Sequence, residues 1–176
     1  DIVISLIALP FLVLVILIFA PIIYFTDKGP VFYNAPRMGM NGKVFKMFKL
    51  RSMKVNAPVL KNADGSTYSG DDDPRVTKIG RIMRKTSVDE LPQIINVLLG
   101  HMSFVGPRPP LTYHPWDYSE YSDFQLRMFE VRPGITGWAQ VNGRKDVEWN
   151  KRIELNVWYV DNMSLWLDIK IIFTTF

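Results

Sequence analysis

Residues 84–110 read RKTSVDELPQIINVLLGHMSFVGPRPP. Leu91, Ile94, Ile95, Leu98 and Leu99 recur at helical spacing, and Gly100 is a natural stop after them. Ser87 stands three residues before Glu90, the spacing of a capping box. The pattern predicts a helix that opens near Ser87 and carries Asp89 and Glu90 in its first turn. There the unpaired amides and the positive end of the helix dipole favour anions, side-chain carboxylates and phosphates alike. Pro92, which lacks an N–H, is tolerated only in an opening turn and so sharpens or displaces the start.

Neighbouring helical residues point about 100° apart, so two adjacent carboxylates suit two jobs better than one. One can attack phosphorus as a covalent nucleophile while the other holds the magnesium that phosphoryl chemistry usually requires. Offsetting the helix dipole is the plainer alternative for the pair. Beyond Gly100 comes Gly106-Pro107-Arg108-Pro109-Pro110, where three prolines stiffen the backbone around one guanidinium. An arginine held in this way has little entropy left to lose on gripping a phosphate.

The rest of the chain has a lopsided composition. Of 176 residues, 48% are hydrophobic, and the excess lies at the front, where Ile2 to Phe25 is almost continuously apolar. That is about the length that crosses a bilayer. Pro21, after Ala20, interrupts the amide ladder near the end of the run, and Pro10 can bend it earlier, so entering and turning back competes with spanning. The chain has no cysteine, which excludes disulfides, thiolate metal sites and a cysteine nucleophile.

The net charge of +4 hides an asymmetry: Lys28 to Lys85 holds 13 Lys/Arg against 4 Asp, whereas Thr86 to Phe176 holds 8 against 11 acids. A basic block directly after an apolar segment suits an anionic membrane surface, and no nucleic-acid module is recognisable. After the turn Asp27-Lys28-Gly29-Pro30, a hairpin is expected, with strands at Val31-Phe32-Tyr33 and Val44 to Leu50 around Met38 to Gly42. Val55 to Pro74 reads as a loop whose Asp71-Asp72-Asp73 is a solvated turn. Thr77 to Lys85 reads as a helix with Ile79, Ile82 and Met83 on the apolar side; Arg84 and Lys85 follow directly, able to steer an anion to Asp89.

Tyr113, His114, Trp116, Tyr118 and Tyr121 form an aromatic cluster that leads into a helix through Phe124, Leu126 and Phe129; core packing and a stacking surface both suit it. Neither histidine has the spacing of a catalytic triad. Pro133 to Arg144 is a glycine-punctuated loop whose Gln140, Asn142 and Arg144, with Lys145, can read a nucleotide or sugar. Two amphipathic helices are expected at Asp146 to Val160 and Ser164 to Phe173. The second, with Trp166, Leu167, Ile171 and Phe173, is too short to span and suits in-plane contact with lipid.

The blocks Lys85 to Gln93, Asn96, Gly100, Met102-Ser103, Val105 to Pro109 and Pro133 to Arg144 resemble the core signature of the bacterial sugar transferases, the monotopic phosphoglycosyl transferases. The likeness covers nearly the whole chain. It implies an α+β fold: a re-entrant helix-break-helix over residues 1–26, with its kink at Ala20-Pro21, then a mainly helical catalytic domain over residues 27–176 with a short β-hairpin and interfacial amphipathic helices. Family members usually carry Ser-Pro at the break, and alanine here removes a hydroxyl that could support the bend.

The resemblance further implies transfer of a sugar 1-phosphate from a UDP-sugar to a polyprenyl phosphate, with release of UMP, at the cytoplasmic face of a bacterial inner membrane. Asp89 would be the nucleophile, Glu90 the Mg²⁺ ligand and Arg108 a phosphate grip. Arg84, Lys85, Lys49 and Arg51, the last two in a block Lys49 to Met53 that is similar to a basic family block, would line the donor site with Gln140, Arg144 and Asp168. The length is similar to that of the small members that begin bacterial protein N-glycosylation with UDP-N,N′-diacetylbacillosamine. The rival readings are a Mg²⁺-dependent lipid diphosphate phosphatase and a non-catalytic module for anionic lipid.

Overall fold

The computed structural model describes the chain apart from residues 64, 66, 67, 69, 71, 144–147 and 176. Its elements mix helix and strand, in keeping with the expected α+β class. In chain order they are α1 (Ile2–Asp27), β1 (Phe32–Met38), β2 (Val44–Leu50), α2 (Lys78–Lys85), α3 (Gln93–Leu98), β3 (Ser103–Val105), α4 (Asp123–Leu126), β4 (Gly134–Thr136), α5 (Trp138–Asn142), α6 (Trp149–Asn162) and α7 (Leu165–Thr175). The chain forms two compact units, an N-terminal one of Ile2–Ala35 with Met47–Ile95, and a C-terminal one of Asp1, Pro36–Lys46 and Asn96–Phe176.

In the N-terminal unit, α1 is one helix with Pro10 and Pro21 inside it. Each proline withholds an amide from the carbonyl four residues back, Leu6 and Leu17, but the helix is not interrupted there. The expected break at Ala20-Pro21 is therefore absent as a gap between two helices. Val15, Ile16, Phe19 and Ile23 share one stripe of α1 and pack with Leu50, Ile79, Met83, Val88 and Leu91. The rest of the circumference, including Leu14, Leu17, Ile18 and Phe25, is exposed. By length and hydropathy α1 can cross a membrane.

Thr77 starts α2, its Oγ1 accepting from the Gly80 amide at 3.0 Å. Gly80 has to be glycine, because a Cβ there would lie 2.0 Å from the Ser52 carbonyl oxygen. The acidic run before α2 departs from expectation. Asp73 is fully buried rather than solvated, and Asp71 lies outside the described residues. The reason is Arg75, whose Nη2 donates to Asp73 Oδ2 at 2.7 Å and to the Tyr68 carbonyl at 2.7 Å, while Nη1 reaches the Pro58 carbonyl at 3.1 Å. This pair ties the ends of the 55–74 excursion together.

β1 and β2 form the expected hairpin, joined by too few residues for any but an antiparallel pair, although β1 runs on to Met38 where the sequence pattern ends the strand at Tyr33. In the C-terminal unit, β3 and β4 pair in parallel, Ser103 with Gly134 and Val105 with Thr136. The pair went unforeseen because each strand is three residues long. It also corrects the reading of Pro133 to Arg144 as one loop, since that stretch holds β4 and α5. A Cβ on Gly134 would meet the Gly106 amide at 2.1 Å, and one on Gly137 the Gly106 carbonyl oxygen at 2.0 Å. The glycines thus admit one another's backbone.

Two cores are seen among the described residues of this unit. One gathers Met38, Tyr121, Met128, Phe129, Ile153 and Val157; the other gathers Val105, Tyr159, Leu167 and Ile171. The aromatic cluster feeds the first, with Tyr121 edge-on to both Trp116 and Phe129. The expected helix there is broken into turns around α4. On α6 and α7, Trp158, Leu165, Trp166 and Phe173 stay exposed.

The Asp73–Arg75 pair sets a stability test. The Arg75 guanidinium holds the Asp73 carboxyl down at about 2, against about 4 for a free aspartate. Its contribution is complete above pH 4 and fades as pH falls through 2. Asp73→Asn should cost about 3 kcal/mol at pH 7 by leaving Arg75 buried without its counter-charge. Urea unfolding should show that deficit shrinking below pH 4.

Candidate active site

α2 ends on Arg84 and Lys85, and its C-cap Thr86 donates its amide back to the Ile82 carbonyl at 3.0 Å. Ser87 then takes a left-handed conformation, φ 55° and ψ 17°, and turns the chain into a single 3₁₀ turn, Val88–Glu90. A left-handed residue cannot act as an N-cap, which needs extended backbone, so the expected capping box does not form. Ser87 contributes its carbonyl instead, accepting from the Glu90 amide at 3.1 Å. Pro92 displaces the following helix, and α3 starts only at Gln93. Gly100, at φ 75°, closes that segment as expected.

Within the turn the two carboxylates have different surroundings. Asp89 is 7% exposed. The Glu90 side chain is 27% exposed, and its Oε1 accepts from Lys49 Nζ at 2.5 Å. Arg84 lies close by, its Nε donating to Ser52 Oγ at 2.9 Å. Burial pushes the Asp89 carboxyl above the ordinary aspartate range; Lys49 and Arg84 pull it back, and Glu90 adds to the rise. When ionised, Asp89 is thus a poorly hydrated, more basic oxygen with cations at hand, as a carboxylate nucleophile requires.

Lys49, Arg84, Asp89 and Glu90 therefore come together in one unit, and Lys85 stands exposed at the end of α2. Arg51, expected beside phosphate, has another role. It is 7% exposed, and its guanidinium is bonded to Asp27 and to the carbonyls of Ile23, Pro30 and Met53. Asp27 and Ser52, the partners of Arg51 and Arg84, were missed. The one signal for Asp27 is an acid at the end of an apolar run.

The C-terminal unit holds the remaining candidates. Arg108 is exposed between Pro107 and Pro109, which are buried. These three line a shallow surface hollow with Met38, Met128 and Phe129. Gln140 has a buried Oε1 with no hydrogen-bond partner among the described residues. Asp168 accepts from Tyr159 Oη at 2.7 Å. Arg144 lies outside the described residues. Among the described residues no group of three or more metal-binding side chains occurs. A carboxylate pair remains adequate for magnesium, which commonly takes one or two carboxylates and completes its shell with substrate phosphates.

A family profile described as Bacterial sugar transferase matches residues 1–176. The chain is 48% identical over 148 residues to a protein named uncharacterized sugar transferase EpsL of Bacillus subtilis, covering 84% of this chain and 68% of that one. It is 44% identical over 155 residues to the UDP-glucose:undecaprenyl-phosphate glucose-1-phosphate transferase of Escherichia coli, covering 85% of this chain and 32% of the relative. Against the undecaprenyl-phosphate galactose phosphotransferase of Salmonella typhimurium the identity is 41% over 160 residues, with 85% of this chain covered. The chain spans about a third of the length of these last two, 32% and 33%.

A nearby cation favours the ionised carboxyl, so removing one moves the titration upward. Lys49→Met should raise the midpoint at which Asp89 takes up its proton. Carbon-13 NMR on aspartate-labelled protein reads this directly, and an unchanged or lowered midpoint would contradict the arrangement.

Proposed function

Because the chain belongs to the bacterial sugar transferase family, we propose that it is a phosphoglycosyl transferase that moves a sugar 1-phosphate from a UDP-sugar to a polyprenyl phosphate. The observation that carries this reading is the Asp89 environment: an aspartate withdrawn from water beside Lys49 and Arg84, with a second acid one residue on. In the first step an Asp89 oxygen attacks the sugar-proximal phosphorus of the donor. An acyl-phosphate bond forms, the phosphoanhydride bond breaks, and UMP leaves with the electron pair. In the second step an oxygen of polyprenyl phosphate attacks the same phosphorus, giving a polyprenyl diphosphate sugar and restoring the aspartate.

Lys49 keeps Glu90 oriented and favours the ionised form of Asp89. Arg84, steadied by Ser52, and the exposed Lys85 draw in the donor's diphosphate. Arg108 grips a phosphate as charge develops on it. A magnesium ion held by Glu90 and donor oxygens would neutralise charge on the departing UMP. Gln140, Arg144 and Asp168 serve the donor in this reading. The hidden carbonyl oxygen of Gln140 is an acceptor of the kind a uracil or sugar N–H or O–H could satisfy.

Residues 1–26 form the membrane-associated part and residues 27–176 the cytoplasmic catalytic part of a monotopic protein of the inner membrane. The stripe of α1 from Val15 onward is packed against protein. Re-entry with a bend at Ala20-Pro21 is part of this reading, and what supports it is the pair of prolines inside α1, each of which withholds an amide from the helix ladder. Exposed Trp158, Leu165, Trp166 and Phe173 suit helices lying in the interface. UDP-N,N′-diacetylbacillosamine, supplying protein N-glycosylation, is one donor under this reading; glucose and galactose, which the names of the relatives carry, are the competing sugars.

Incubation with a panel of UDP-sugars and undecaprenyl phosphate, monitoring UMP, tests the reaction and ranks the donors. Asp89→Asn should abolish turnover and leave no labelled phosphosugar on the protein; near-normal turnover would remove it as nucleophile. Glu90→Gln should cut the rate by at least about 100-fold and flatten its dependence on Mg²⁺. Hydrolysis of a lipid diphosphate without any nucleotide donor would favour the phosphatase, and anionic-lipid binding without UMP release the binding module.

Because the chain has no cysteine, single cysteines at Val3 and Lys28 can report topology. Re-entry predicts that neither reacts with an impermeant maleimide from the periplasmic side, and reaction at one end would establish a span.

A further inference from the structure

Four consecutive residues at the end of β2 make four different attachments, all within the N-terminal unit. Lys49 bonds Glu90. Leu50, 1% exposed, sits in the core with Val15, Ile23 and Met83. Ser52 Oγ accepts from Arg84 Nε, and its carbonyl accepts from the Thr77 amide at 3.0 Å. Between Leu50 and Ser52, Arg51 reaches the end of α1.

A guanidinium has five N–H donors, and those of Arg51 make five bonds to protein. Nε donates to the Pro30 carbonyl at 2.5 Å. Nη1 donates to Asp27 Oδ2 and to the Met53 carbonyl, both at 2.8 Å. Nη2 donates to Asp27 Oδ1 at 2.6 Å and to the Ile23 carbonyl at 3.3 Å. Asp27 Oδ2 also accepts from the Val55 amide at 2.8 Å. The chain makes room at Gly29, where a Cβ would lie 2.1 Å from Val55 Cγ2 and 3.0 Å from Arg51 Nη2. The bidentate pair with a partly exposed Asp27, together with the three carbonyls, leaves the buried Arg51 no donor for a substrate.

We propose that Arg51 and Asp27 are a positioning pair: they fasten the C-terminal end of α1 to β2, and so set where Lys49 and Ser52 hold Glu90 and Arg84 around Asp89. The proposal rests on the reading of Asp89 as the nucleophile. The seating of the apolar helix and the geometry of the acidic turn are then joined through one short run of backbone. Lysine cannot replace arginine here, since a point charge with three donors cannot span Asp27 and three carbonyls.

The test compares full-length wild type, Arg51→Lys and Asp27→Asn in phospholipid nanodiscs. Both variants should lose about 10- to 100-fold in kcat while the donor KM stays within about twofold, the signature of a misplaced reacting group. Both should also show hydrogen exchange several-fold faster across residues 84–91, where neither substituted residue makes a bond. If Arg51 instead gripped the donor phosphate, Arg51→Lys would raise KM and Asp27→Asn would leave the rate intact, and either result overturns the pair. Exchange changes confined to residues 23–31 and 51–55 would overturn it as well. Should wild type release no UMP, the transferase reading fails, and the exchange comparison still decides the pair.

Discussion

Keeping a carboxylate oxygen out of water is costly, and the N-terminal unit is arranged around that cost at Asp89. Burial alone would drive the group to its neutral form, which cannot act as a nucleophile. Lys49 and Arg84 oppose the shift, each held by a bond to another group: Glu90 for the lysine, Ser52 for the arginine. The net rise leaves a carboxyl that can still ionise and is more basic when it does. Glu90, one residue on, is more open than Asp89 and is bonded to Lys49, which suits it to a different role.

The basic block between Lys28 and Lys85 proves to be two populations. Arg51 and Arg75 are buried and bonded to acids and carbonyls, and they serve the chain itself. Lys78, Arg81 and Lys85 are exposed on α2 and remain open to anions. Residue type does not separate the two. The difference lies in whether an acid and several carbonyls converge on the guanidinium, and for Arg51 those acceptors are contributed from as far back as Ile23.

Glycine and proline carry a comparable double meaning. In Gly106, Gly134 and Gly137 the missing side chains permit two backbone segments to touch, which is how β3 and β4 pair despite their shortness. Such glycines read in sequence like a ligand-cradling loop, because close approach to a phosphate and close approach to another strand need the same absence of Cβ. Pro107 and Pro109 are buried on either side of Arg108 and leave that side chain exposed.

Sequence by itself determined the features that depend on local chemistry. The apolar α1, the hairpin turn at Met38 to Gly42, α2 with its basic end, the stop at Gly100 and the pairing of Asp89 with Glu90 in one turn were all legible, because each is set by neighbours within about eight residues. The family was legible for the same reason, since its motifs are contiguous blocks. Tertiary structure alone decided that Ser87 turns left-handed instead of capping, that Asp73 is buried, that three glycines pack on backbone and that Arg51 belongs to Asp27. Each of these depends on a partner brought near by folding, and the free energy of burying or pairing a group cannot be read until that partner is known.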